Sequence, residues 1–518
     1  MGRKLGLIRA AYLASASCMG SFAFAFDTGI ISGVLSLTSF QEDFGYSHYT
    51  KAQKTTVNSN AVSILQGGAF FGCFLISPIA SYLGRRTGLI ISSLVFTLGT
   101  ILQVINTHTL GTFYAGRVVA GLGIGAATVL IPMFAAEMSP KEFRGRLGAC
   151  FQLFFALGVM IAYWTTYAVS KDQASGTSQW QTALGLQLLG STLLLAGMCT
   201  VKESARWLAS KGKLEKARES LKWVRGGEET EELEREFQEI LAGIEEEARV
   251  KENLTFKELL LPANRYRLFI AITIQLSAQL TGNTSLAYYA TQIFSAVGAG
   301  GASKLVTGCF GIVKVVGVST FQLFVLDRVG RRVPFMAGAF AMGSFMLIIA
   351  CILATHPVSS TTTSSGPTSA GIACIIMTYA EAFSYNMSWG PLPWLYVGEI
   401  FSSRTREVGL TVGAASQWLF NFMMSQVTPH AITNIGWRMF LMFAIFNYAI
   451  VGYSWLVLKE TSQHSLEEMQ EVFGGKTIAE KKLEDVEHAE HTGDETKGQS
   501  IPETVQPVSS PTKQTAKE

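Results

Sequence analysis

An all-α membrane protein of twelve transmembrane helices in two pseudo-symmetric six-helix bundles is the fold class that these 518 residues predict. Three observations carry that reading. The chain is 48% hydrophobic and only 15% charged, where ordinary soluble proteins carry about 25% charged residues. Long stretches hold no charge at all. The two halves repeat the same short motifs in register. This composition excludes disordered, collagen-like and disulfide-framed secreted classes, and a dispersed net charge of +3 does not suit a nucleic-acid binder.

A helix needs about 20 mostly apolar residues to cross the hydrocarbon core. On that ruler the spans fall at 10–36, 60–83, 87–107, 111–136, 147–169, 181–201, 267–296, 303–326, 333–354, 371–400, 408–430 and 437–457. Each run is long and continuous, unlike the short alternating strands of a membrane barrel. Arg3, Lys4 and Arg9 precede the first run without a small-residue cleavage site, so it reads as a retained helix and not a signal peptide. Basic residues crowd one set of connections: Arg85, Arg86, Lys141, Arg144, Arg146, Arg328, Arg331, Arg332, Arg404 and Arg406. The opposite set is nearly bare. The positive-inside rule therefore predicts cytoplasmic termini, in a plasma-membrane protein.

The bundles are predicted over 1–201 and 267–458. Between them, 202–266 alternates acidic and basic residues at helical spacing, notably in Leu214–Val224 and Glu231–Glu247. That pattern predicts short cytoplasmic helices in a solvated linker. Residues 459–518 are polar throughout and are expected to stay disordered. Cys18, Cys73, Cys150, Cys199, Cys309, Cys351 and Cys374 all fall inside apolar spans and read as buried small hydrophobes.

The repeat is the sharpest signal. Gly84-Arg85-Arg86 after span two answers Gly330-Arg331-Arg332 after span eight. Glu137 and Arg144 after span four answer Glu399 and Arg406 after span ten, at one common offset. Lys202-Glu203-Ser204 answers Lys459-Glu460-Thr461. Two such halves imply a pseudo-twofold axis along the membrane normal, with a path between them.

At these residues the chain resembles the sugar porter family of the major facilitator superfamily. The likeness covers about residues 20–470 and includes Gly116-Arg117 with Gly121, Gly123 and Gly125, the Glu203–Leu208 segment, Gln279 to Gly282 with Tyr288-Tyr289, Asp327 to Arg332, and Gly390 to Trp394. It is similar above all to fungal sugar and sugar-acid permeases. The resemblance implies alternating access by a secondary transporter without a cofactor, and its proton-coupled members carry an acid at the position of Asp27.

Charge in the hydrocarbon core costs at least about 2.5–3.5 kcal/mol, so each instance needs a reason. Asp27 lies about 25 Å along span one and Arg117 about 30 Å from the far end of span four, which puts both in one layer as a candidate proton-coupling pair. Sugars offer a plane of hydroxyls and apolar C–H faces, which amides and aromatic rings recognise. Chemistry and resemblance together nominate Gln152, Gln275, Gln279, Asn283, Thr284, Trp394, Gln417, Trp418 and Asn421 for the substrate. Gln275 and Gln279, like Gln417 and Asn421, are four apart and share a helix face. Lys314 lies roughly 18 Å inside span eight. Its role is either a structural pair with Glu381 or reception of a substrate carboxylate. Tyr288 and Tyr289 are candidates for the outer gate. Arg85, Arg86, Glu137, Arg144, Arg331, Arg332, Glu399 and Arg406 are candidates for an inner latch.

Three further signals fall away. Gly121, Gly123 and Gly125 sit in a membrane helix with no preceding strand, so they read as close packing and not as a dinucleotide site. No Cys/His ligand spacing points to a metal. No nucleophilic constellation points to an enzyme. Together the residues predict a monomeric secondary active transporter in the lipid bilayer that imports a hexose or pentose with a proton, without cofactor or nucleic acid. A facilitative uniporter and a proton-coupled carrier of an acidic sugar such as a uronate or quinate stay open. A nutrient sensor on the same fold fits less well, because the tail is only about 60 residues.

Overall fold

The computed structural model describes all residues except 1, 106, 140–143, 228, 252–261, 327, 357–367, 402–404, 463–472 and 474–518. Among the described residues there is no strand. The twelve spans run Gly2–Val34, Lys51–Leu83, Arg85–Val104, Leu110–Met138, Arg144–Asp172, Thr177–Thr200 (hinged at Leu186), Pro262–Phe294 (interrupted), Ser303–Val325, Arg332–Thr355, Ser369–Ile400 (interrupted), Arg406–Asn434 and Arg438–Leu456. Several start well before the apolar runs do. Span one begins eight residues earlier than expected because its polar first turns continue as helix beyond the hydrocarbon.

Nine of these helices, among the described residues, are long and apolar enough to cross a membrane unaided. The spans that fall short are seven, ten and eleven. Span seven breaks between Leu280 and Asn283, where Gly282 adopts φ +93°, and again at Tyr289. Span ten breaks between Asn386 and Leu392. Span eleven is one long helix rich in polar residues. Broken or polar helix is tolerated at membrane depth only where protein or a wet cavity surrounds it. The three weak spans therefore mark the interior.

Packing between spans depends on close backbone approach. A Cβ at Gly121 would strike the Leu65 carbonyl, one at Gly125 the Ala69 carbonyl, and one at Gly123 would lie 2.6 Å from the Ser92 carbonyl. Span four thus lies against span two on one side and span three on the other, as the glycine spacing suggests.

The buried apolar side chains divide unevenly. On the face away from the termini, here the distal face, one cluster draws on both halves, with Phe26, Ile30, Tyr163, Tyr288, Tyr289, Phe310 and Phe443 among its members. Toward the linker face the halves keep separate clusters, although Ala414, Ala415 and Trp418 of span eleven reach into the N-terminal one. The distal seam is closed.

Two expectations need correction. The linker is no bare solvated tether: Trp207, Leu208, Ala217, Leu221, Leu233 and Phe237 bury one another in a small core of its own. That core docks onto the bundle, since the Trp207 indole donates to the Ser81 carbonyl at 3.0 Å and the Arg9 guanidinium to the Trp223 carbonyl at 2.9 Å. Its charges line the outer faces, so charge counting alone saw only those. Second, Cys199 and Cys351 are exposed on their helices and not buried. The expected disorder of the tail lies outside the described residues, save that Phe473 is buried against Tyr266, Arg267 and Lys459.

Because backbone opposes it directly, Gly125→Leu is expected to destabilise the protein by about 1–3 kcal/mol or more through overpacking. A lower melting temperature and a reduced monodisperse yield in detergent would register this. Wild-type values for both would contradict the packing described.

Candidate functional site

Asp27 and Arg117 are fully buried, and Arg117 Nη1 donates to Asp27 Oδ1 at 2.5 Å. Arg117 Nε donates to the Ala61 carbonyl of span two at 2.8 Å, so one guanidinium ties span one to span two. The other halves of the two groups, Asp27 Oδ2 and Arg117 Nη2, complete no hydrogen bond. An ion pair this buried holds only while both charges persist; removing one partner from such a pair costs about 3–5 kcal/mol.

The break in span seven brings Tyr288 to this pair. Its hydroxyl sits beside Thr28 and Gln66 and accepts a long contact from Asn421 Nδ2 at 3.5 Å. Tyr289 donates to the Ser425 carbonyl at 2.8 Å, and Tyr163 to the Ala287 carbonyl at 2.6 Å. Thr291 N donates to the Ser32 hydroxyl at 3.2 Å. Gln426 Nε2 reaches both Asn60 Oδ1 at 3.0 Å and Ser63 Oγ at 2.6 Å. These bonds all join opposite halves or clamp the broken helix, and they bar the distal route.

Two of the amides nominated for substrate, Gln275 and Gln279, are buried without hydrogen-bond partners. Gln275 and Gln279 complete no hydrogen bond with either amide atom, and neither do Gln417 Oε1 nor the Trp418 indole nitrogen. Buried amides are normally satisfied, so this set stands apart from the rest of the interior. Trp418 packs on Phe24 of span one, ring centroids 4.8 Å apart, and Trp394 lies 6.1 Å from Phe151. Gln152 of span five lies beside Gly390 at the break in span ten. Thr284 meets the Tyr385 hydroxyl. These contacts join span one to span eleven, span five to span ten and span seven to span ten.

Gln66 is the residue that the sequence reading missed. It is fully buried, with its amide beside the Tyr288 hydroxyl. A lone amide before Gly67-Gly68 in an otherwise apolar stretch was its visible signal. Lys314 also differs from expectation in detail. Its Nζ donates to Asn283 Oδ1 at 3.2 Å, and Asn283 Nδ2 donates to Glu381 Oε2 at 3.0 Å. An amide stands between the two charges.

At the linker face the motif residues form two matching networks. Arg85 pairs with Glu137 at 3.1 Å, Ser204 donates to Glu137, and Glu203 accepts from the Arg86 backbone N–H at 2.9 Å. Likewise Arg331 pairs with Glu399 at 3.1 Å, Thr461 donates to Glu399 at 2.5 Å, and Glu460 accepts from the N–H groups of Arg331 at 2.6 Å and Arg332 at 3.0 Å. The guanidiniums of Arg86 and Arg332 donate to the Met198 and Trp455 carbonyls. Burial pushes the Glu460 carboxyl up, but backbone N–H donors from Arg331, Arg332, Ser462 and Thr461 outweigh it and hold the group below its usual range. Among the described residues, each of these bonds joins groups of one half. The side chains of Arg144 and Arg406 lie outside the described residues.

Residues 13–473 match the family described as Sugar (and other) transporter. The chain is 34% identical over 478 residues to the probable quinate permease of Aspergillus fumigatus, covering 90% of this chain and 88% of that one. It is 32% identical over 480 residues to the quinate permease of Emericella nidulans, covering 90% and 89%. Among solved structures, the proton:xylose symporter XylE bound to 6-bromo-6-deoxy-D-glucose superposes with a TM-score of 0.74 at 22% identity, over 90% of this chain and 100% of that one. XylE from E. coli in a partially occluded inward-open conformation gives 0.73 at 21% identity, over 88% and 99%. With the fold, the repeated motifs and the family match in agreement, this chain is a member of the sugar porter family of the major facilitator superfamily, a membrane transporter and not an enzyme.

Proposed function

We propose that the protein imports a polyhydroxylated ring compound together with a proton, by alternating access, across the plasma membrane with its linker face in the cytoplasm. The single observation that carries this reading is the buried Asp27–Arg117 pair set beside an unsatisfied, amide-lined seam. Amides of this kind suit sugar hydroxyls, because each both donates and accepts. A proton on Asp27 removes the counter-charge of Arg117 and loosens its hold on spans one and two, which favours an open distal face. Substrate bound across the amides of both halves offsets that loss and recloses the seam. Release toward the linker face frees the proton, and the pair re-forms.

The names of the relatives accord with this assignment, one group being called quinate permeases and the structural neighbour a proton:xylose symporter. A second reading, in which the ring carries a carboxylate, draws on the quinate permeases and on Lys314, a buried cation bonded to the substrate candidate Asn283. Neutral hexoses and pentoses remain the reading of the amides alone. The linker-face networks serve as rigid joints within each half while the halves rock.

Labelled uptake in a carrier-free host separates these readings. Asp27→Asn is expected to reduce the accumulation ratio of a neutral sugar to about one while exchange across the membrane continues; accumulation at the wild-type level would place proton coupling elsewhere than Asp27, and a ratio of about one in the wild-type protein would leave a uniporter with a permanent ion pair. Gln279→Leu removes hydrogen bonds worth about 0.5–1.5 kcal/mol each, so the half-saturation constant should rise roughly 3- to 10-fold. An unchanged constant would take Gln279 out of the site. Lys314→Ala should impair uptake of quinate or a uronate at least about tenfold more than that of a neutral sugar, and equal losses would reduce Lys314 to a structural role.

A further inference from the structure

The pseudo-twofold repeat gives the Asp27–Arg117 pair a counterpart. The offset that carries Glu137 onto Glu399 carries Arg117 onto Tyr379, two residues before Glu381 in span ten. The same offset carries Asp27 onto Tyr289, at the second break of span seven and six residues beyond Asn283. A contact between spans one and four thus reappears as the Asn283–Glu381 bond between spans seven and ten, at 3.0 Å. The chemistry is rearranged. In the N-terminal half the carboxylate is on the first span and the cation on the fourth, whereas here the carboxylate is on the fourth, an amide replaces the first, and the cation is Lys314 of the second.

Several features suit this triad to a charged ligand. Lys314, Asn283 and Glu381 are all buried. Glu381 Oε1 has no hydrogen-bond partner, as Asp27 Oδ2 has none. Lys314 Nζ lies 5.4 Å from the centre of the Phe310 ring, so apolar surface backs its other side. The titratable groups facing Glu381 are Lys314 from span eight and Tyr385 from its own helix, whose hydroxyl is engaged by Thr284 of span seven. Asn283 follows Gln279 by four positions along the substrate-lining span.

From this geometry we infer that Lys314, Asn283 and Glu381 form a charge-compensated carboxylate site, in which Glu381 takes up a proton when the carboxylate of an acidic polyol takes its place beside Asn283 and Lys314. The balance is simple. One anion enters, one proton from the distal solution neutralises Glu381, and no covalent bond is made or broken beyond that O–H. A second anion beside Glu381 in a low-dielectric seam would be repelled strongly, so entry and protonation are linked. A neutral sugar needs no such proton. The inference rests on the acidic-ring reading of the substrate.

The test uses full-length protein in nanodiscs, in an Asp27→Asn background, so that the remaining pH dependence belongs to the C-terminal half. Binding of labelled quinate is compared with that of its neutral amide, quinamide, between pH 8 and pH 5.5, where quinate stays ionised. Quinate affinity is expected to rise at least about tenfold on acidification, while quinamide affinity changes less than about twofold. Adding Glu381→Gln should leave quinate binding tight and independent of pH. Quinamide binding reports whether that variant folds. If it does not, the double variant Lys314→Gln with Glu381→Gln, which removes both charges, should lose the preference for quinate over quinamide. Persistence of the tenfold pH dependence in Glu381→Gln, or of the quinate preference in the double variant, would overturn the inference and leave the acidic-substrate reading standing. No preference for quinate over quinamide at any pH in the Asp27→Asn protein with Lys314 and Glu381 intact would overturn both.

Discussion

The Asp27–Arg117 ion pair is the interaction on which the arrangement depends. A carboxylate and a guanidinium stripped of water are a poor source of stability, since desolvation rivals their attraction. Their value lies in how steeply the structure responds when one charge is lost. Arg117 holds the Ala61 carbonyl with the same guanidinium that holds Asp27, so span two is tied to the charge state of span one. Tyr288 meets Thr28 and Gln66 on one side and Asn421 on the other, which puts the ion pair in contact with the second half of the molecule. In the proposed mechanism a proton is thereby converted into a change at the seam.

For that change to move substrate, each half must rotate as a unit. The linker face supplies the stiffness. Glu203 caps the start of span three and Glu460 that of span nine through backbone N–H groups, while Glu137 and Glu399 each bind an arginine and a hydroxyl. The distal face instead holds bonds between halves, such as Gln426 to Asn60 and Ser63. Strong joints within the halves and breakable contacts between them are what rocking about a midplane site requires.

Much of this was legible in the residues because bilayer constraints are severe. Length and apolarity located the spans, and the repeated Gly-Arg-Arg and Glu…Arg segments paired the halves. The breaks at Gly282 and near Gly390 were harder to place, since the surrounding residues stay apolar and only the positive φ of Gly282 makes the turn visible. Gln66 escaped notice because one amide in a span is more often helix-to-helix glue, and its neighbours Thr28 and Tyr288 come from distant segments. The Asn283 bridge between Lys314 and Glu381 has no sequence signature, because it depends on where a broken helix turns. In the linker, Trp207, Leu221 and Phe237 were spaced for a core, but the dense charges around them masked it.

In the proposed cycle, protonation of Asp27 releases Arg117 and opens the distal seam until substrate recloses it. The most direct measurement is the distance between spin labels at Thr56→Cys and Asn434→Cys, exposed positions on spans two and eleven flanking the distal seam, in a background free of other reactive cysteines. A longer distance is expected at pH 5 than at pH 8, with reversal on adding substrate, and a distance in Asp27→Asn that stays long at both pH values. A distribution that ignores pH in the wild-type protein, or that shifts equally in Asp27→Asn, would contradict it.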